Sequence, residues 1–134
     1  MNAQAAPPIS LADLESGSID PHTFDHTAHV YAGWLYLERY SLADAITAFS
    51  AALKRLTIKL GVPGKYHETI TWFFMLLIAE RRAVSCGGDW FAFCRDNPDL
   101  FNREDDIIKR YYSGELLASE RARQAFVLPD RLAT

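Results

Sequence analysis

Cysteine is almost missing from this chain: Cys86 and Cys94 are the full complement in 134 residues. Separated across Gly87 and Gly88, they form neither a disulfide scaffold nor the CxxC or zinc-ribbon spacing of redox and metal sites. Both are expected to be ordinary thiols, one or both of them buried. Long apolar runs are missing too. The longest, Trp72 to Ala79, falls far short of the roughly 20 residues needed to cross a bilayer, which argues against a membrane protein. Residues Met1 to Ser18 have neither a basic n-region nor an apolar h-region, so no signal peptide is expected and a cytoplasmic location is the default reading. Nor is there an excess of positive charge. With 14 Lys and Arg against 17 Asp and Glu, the net charge is −3 and the basic residues are scattered, which argues against nucleic acid as a partner. No alternating pattern lasts long enough to make a strand, and no internal repeat is seen. A Gly-rich phosphate loop, a Gly-x-Ser-x-Gly elbow and an HExxH pair are all missing.

What remains is a helix-forming sequence of one domain's length, with a 13% aromatic share that lets a small bundle bury a large area per residue. Residues 1–20, with Pro7-Pro8 and Ser16-Gly17-Ser18, read as a poorly ordered arm carrying at most a short helical turn at Leu11 to Leu14. Residues 21–134 read as a single helical domain. A first long helix is predicted from about Thr23 to Arg39, capped by Thr23 with Asp25 against the positive end of the dipole. Ser41 caps a second, from about Leu42 to Leu60, whose apolar residues Leu42, Ala45, Ile46, Phe49, Ala52, Leu53, Leu56 and Leu60 recur at three-four spacing. Gly61-Val62-Pro63-Gly64 stops it and makes the next helix, about Tyr66 to Ser85, its antiparallel neighbour. The middle of that third helix is apolar all round, so it is either central in the core or covered by another subunit. Cys86-Gly87-Gly88 ends it. Shorter helices follow: Asp89 caps one from Trp90 to about Asp96, Asn97-Pro98-Asp99 makes a turn, Asn102 caps another from Arg103 to Tyr112, and Ser119 caps a last one to about Phe126. The fold class is therefore all-α, a bundle of three long helices plus shorter C-terminal ones.

The four histidines carry the chemistry. His26 and His29 are three apart and share a helix face with Val30, Gly33 and Leu37. His67 heads a similar stripe with Ile70, Thr71, Phe74 and Ile78. Each imidazole thus sits at the top of an apolar face, and packing of the two helices would bring His26, His29 and His67 together. Three neutral imidazoles with an open position suit Zn²⁺, Ni²⁺ or Fe²⁺. Glu68, about 100° further round the helix than His67, is placed to act as a base or to orient a ligand. His22 follows Pro21 and falls in the preceding loop. Gly33 costs about 1 kcal/mol in a helix interior relative to alanine, and close approach of another helix or room for a ligand would account for it. Glu104, Asp105 and Asp106 read as the solvated start of a helix.

Phe24-x-His26-x-x-His29, together with Tyr66-His67-Glu68-Thr69-x-Thr71, resembles a pattern in small, uncharacterised all-helical bacterial proteins. The C-terminal Tyr111-Tyr112-Ser113 and Ser119-x-x-Ala122-Arg123-x-x-Phe126-x-x-Pro129-Asp130 extend the likeness over most of the chain from position 24. It implies a fold and no activity. A looser likeness is to the DinB-type metal-binding bundles, which draw three histidine ligands from separate helices. That family places its close pair late in the chain and four residues apart, whereas here the pair is early and three apart.

The first expectation is a metal-binding helical bundle with a three-histidine site; as an enzyme it would act on a small molecule by metal-assisted activation of water or the substrate. The rival is an interaction or homodimerisation module with structural histidines, in which Trp72, Phe73 or Met75 would lie at the interface. A third is a metal-free acid–base enzyme using His67 or His26.

Overall fold

The computed structural model describes residues 6–85 and 88–131, so the reading of Cys86 and Gly87 lies outside the described residues. Among the described residues the fold is all-helical, with no strand. Three long helices, α2 (His26–Arg39), α3 (Leu42–Lys59) and α4 (Glu68–Ser85), pack pairwise against one another. Helix α1 (Leu11–Ser16) precedes them, and α5 (Trp90–Asp96), α6 (Gly114–Leu117) and α7 (Glu120–Gln124) follow, linked by 3-10 turns at Pro98–Phe101 and Ile107–Arg110.

Local chemistry sets the boundaries. The first long helix starts three residues later than its sequence suggests. Thr23 is held in a turn by its N–H bond to the Asp20 carbonyl (3.0 Å), and the cap is Asp25, whose Oδ1 accepts from the Ala28 N–H at 3.0 Å. His26 is consequently the first helical residue. Ser41 caps α3 as its sequence predicts, although its bond from the Asp44 N–H is long at 3.4 Å. Gly61 takes φ 75°, the left-handed region open to glycine, where the chain leaves α3. Asp89 and Ser119 cap α5 and α7. Asn102 does accept two backbone bonds, from Glu104 and Asp105, but they close a turn, and the predicted helix over 103–112 is only the 3-10 turn at Ile107–Arg110.

The N-terminal segment does not trail as an arm over residues 10–19. Ser10 caps α1, Leu11, Leu14 and Ile19 are buried, and α1 contacts α3. Lys59 seals the junction, its Nζ donating to the carbonyls of Ser16 (3.4 Å) and Gly17 (3.2 Å).

The apolar stretch of α4 is shared between α2 and the chain's own C-terminal half, and Leu76 stays exposed. Phe73 and Met75 are buried, and Trp72 stacks on Phe126 with ring centroids 5.3 Å apart. Thr69, fully buried, fastens that half in place. Its hydroxyl lies 2.7 Å from the Ala122 carbonyl and 2.9 Å from that of Ala125, and its oxygen accepts from the Val127 N–H at 3.2 Å. Tyr112 adds a bond to the Val127 carbonyl (2.7 Å). At the other end, Arg81 reaches both Asn97 and Asp99. Trp34, Trp90, Tyr31 and Phe101 form an aromatic cluster between α2 and α5.

Candidate functional site

A cavity of about 300 Å³ opens where α2, α3 and α4 meet the C-terminal segment. Each helix contributes residues at helical spacing. Helix α2 supplies His26, His29 and Val30, α3 supplies Phe49 and Leu53, and α4 supplies Ile70, Thr71, Phe74, Met75 and Ile78. Phe24, Asp25, Arg103, Asp106 and Ile108 complete the lining. The walls are thus aliphatic and aromatic, and the polar groups gather around the two imidazoles. Gly33 permits this arrangement. A Cβ there would lie 2.9 Å from Met75 Sδ and 3.3 Å from Ile78 Cδ1, so glycine lets α2 approach the α4 side chains that line the cavity.

Both cavity histidines are held by main-chain carbonyls. His26 Nε2 lies 2.8 Å from the Leu100 carbonyl, which ties the start of α2 to the Pro98–Phe101 turn. His29 Nδ1 lies 3.0 Å from the Asp25 carbonyl. A carbonyl only accepts, so these nitrogens carry the protons. The other ring nitrogens, Nδ1 of His26 and Nε2 of His29, are bare when the rings are neutral. Phe74 meets the His26 ring edge-on at 5.2 Å, and Phe24 stacks on His29 at 4.1 Å. Desolvation pulls the pKa of both rings below the ordinary 6.5, against the opposing effect of their carbonyl bonds. His29 retains solvent access as a residue, with Phe24 covering one ring face.

His67 does not join them. Its Nδ1 accepts from the Ile70 N–H (3.2 Å) and its Nε2–H donates to the Leu117 carbonyl (2.8 Å), so both nitrogens are occupied. It caps the start of α4 and ties it to α6. Among the described residues no three His, Cys, Asp or Glu side chains are grouped to hold a metal ion, so the predicted three-histidine centre is not assembled. Glu68 is also engaged elsewhere, accepting from the Tyr66 hydroxyl at 2.5 Å, and it does not line the cavity. Burial and that carboxylate raise the Tyr66 pKa. His22 is exposed in the loop. Cys94 is buried and unpaired, and burial pushes its thiol up to about 11, which makes it an inert core group.

No protein-family model, curated protein or solved structure matches the chain. The site is therefore read from its own geometry.

That geometry adds two residues the sequence did not single out. Asp106 belongs to the acidic run Glu104-Asp105-Asp106, yet its side chain is only 14% exposed. It pairs with Arg103 at 3.1 Å beside the histidines, and Glu104 and Asp105 alone remain in solvent. Nothing local marks Asp106 out, because the helices it lies against, α2, α3 and α4, all come much earlier in the chain.

Proposed function

We propose that this chain is a small-molecule-binding helical bundle whose ligand sits in the cavity beside His26 and His29. The observation that carries this reading is the combination of apolar walls from three helices with a few polar groups at one place, the usual composition of a ligand site. Its volume is at the lower end of ligand cavities, so a compact ligand is favoured over an extended one. The test is a fragment screen by ligand-observed NMR on the wild type and on Thr71→Trp. Thr71 is half-buried, and its hydroxyl donates to the His67 carbonyl at 2.8 Å beside the Tyr66 hydroxyl. An indole there fills the cavity from α4. Hits on the wild type that vanish in a folded Thr71→Trp support the reading, and hits that persist in it count against it.

A divalent transition metal (Zn²⁺, Ni²⁺ or Fe²⁺) is the second reading, on His26 and His29 alone. Its support is that each imidazole has one nitrogen bound to a carbonyl and the other bare, the state a metal ligand needs. Two protein ligands make a weak site, so bound solvent or a ligand would complete the coordination. Elemental analysis after Zn²⁺ loading and desalting, compared with His29→Ala, decides it. Metal retained by the wild type and lost in the variant supports this reading, and equal retention rejects it.

A further inference from the structure

The hydrogen-bonding capacity left around the cavity is nearly all of one kind. His26 has used its N–H on Leu100 and His29 its N–H on Asp25, so each has only a lone pair left to offer. Thr71 has likewise committed its hydroxyl proton to the His67 carbonyl and has only acceptor capacity left. Asp25 and Asp106 are acceptors in any case, with Asp25 capping α2 and Asp106 receiving bonds from Arg103 and the Ile108 N–H. Arg103 is the one lining side chain with N–H groups to spare. It is 60% exposed and already engaged with Asp106. Two carboxylates against one guanidinium also leave the local charge unfavourable to an anion.

We infer that the ligand is an apolar-bodied hydrogen-bond donor, an alcohol, phenol or amine of about one ring in size, whose O–H or N–H meets the bare nitrogens of His26 and His29, and that carboxylates and phosphates are rejected. This rests on the cavity being a ligand site and goes beyond it by fixing the ligand's polarity. The lowered pKa values of the two histidines act in the same direction, because a neutral ring keeps its lone pair. Apart from Arg103 the site's spare groups are acceptors, so it favours a ligand that brings a donor over an analogue with none.

The experiment titrates phenol, toluene and benzoate into the wild type, His29→Phe and His26→Phe, read by protein-observed NMR. Phenol and toluene have similar bodies and differ in one donor. The inference predicts that phenol binds about tenfold tighter than toluene, the net worth of one or two hydrogen bonds, and that benzoate binds most weakly. In His29→Phe, which keeps a ring against Phe24, phenol should lose most of that advantage while toluene affinity is unchanged. His26→Phe, checked for native helix content, should do the same. Equal affinity for phenol and toluene overturns the inference and leaves the cavity reading standing. Benzoate binding tightest overturns it in favour of an acid-binding site. Failure of all three probes to bind counts against the cavity reading, and the inference falls with it.

Discussion

At position 67 the imidazole spends both nitrogens on the backbone, and at positions 26 and 29 it spends one. That difference separates a structural histidine from a functional candidate, and for His26 and His67 it depends on carbonyls far along the chain, those of Leu100 and Leu117. His67→Ala is expected to cost about 2 kcal/mol of stability, the sum of a lost helix cap and a hydrogen bond. It should leave phenol affinity unchanged. Denaturant unfolding and a phenol titration of the variant check both halves. Gly33→Ala tests the opposite kind of residue. Its new Cβ would crowd Met75 Sδ, but that sulfur is the far end of a flexible side chain that borders the cavity. Met75 can move into the open space, and alanine's helix propensity offsets about 1 kcal/mol of the strain. The expected outcome is a stability change within about 1 kcal/mol together with clearly weaker toluene binding. A large loss of stability with binding intact would mean that Met75 cannot yield in that direction. The pairing of His26 with His29 was legible from their spacing, since one helix turn needs no partner to place them. Asp106 and Arg103 were not legible, since only folding of the C-terminal segment brings them there.

Among the elements, α3 and its Ser41 cap were readable almost to the residue, because its amphipathic stripe faces one core and carries its own stop signal. Helix α2 was misread at its start because both Thr23 and Asp25 are good caps, and the Asp20 turn decides between them. The segment 103–112 differs from its sequence reading because its backbone bonds go to a 3-10 turn and side chains rather than to one helix. Its shape is imposed by burial of Ile107 and Ile108 against the long helices. The all-round apolar α4 posed a choice between an internal and an external cover, and the C-terminal half covers one side of it with Thr69 as its fastening, while Leu76 stays exposed. Thr69→Val keeps the volume but removes the hydroxyl. It leaves the Val127 N–H without its partner in a buried setting and frees the carbonyls of Ala122 and Ala125. A loss of about 2–3 kcal/mol is expected from the cost of unpaired buried groups. Hydrogen exchange should speed up in α7 before α2 and α3, whereas uniform acceleration would place the fastening elsewhere.

For the molecule as a whole, the two cavity histidines make stability depend on pH. Their folded pKa values lie below the ordinary 6.5, so between those values and 6.5 the unfolded chain binds more protons than the folded one. Stability from these groups is therefore fully present above about 6.5 and is lost as pH falls through the folded values. Asp99, held low by Arg81, releases its contribution only as the pH falls below about 3.8, which keeps the two effects apart. Thermal unfolding of the wild type should weaken between pH 7 and 5, and His26→Gln combined with His29→Gln should flatten that slope. An unchanged slope would assign it to other groups. The central claim, that the cavity beside His26 and His29 takes a small molecule, is tested most directly by methyl NMR of the isotopically labelled protein during a phenol titration. The account predicts saturable shifts at Ile70, Ile78, Ile108 and Met75, which line the cavity, with Ile58, exposed on α3 away from it, unmoved. Shifts that never saturate, or that appear at Ile58 and leave Ile78 and Ile108 still, would contradict it.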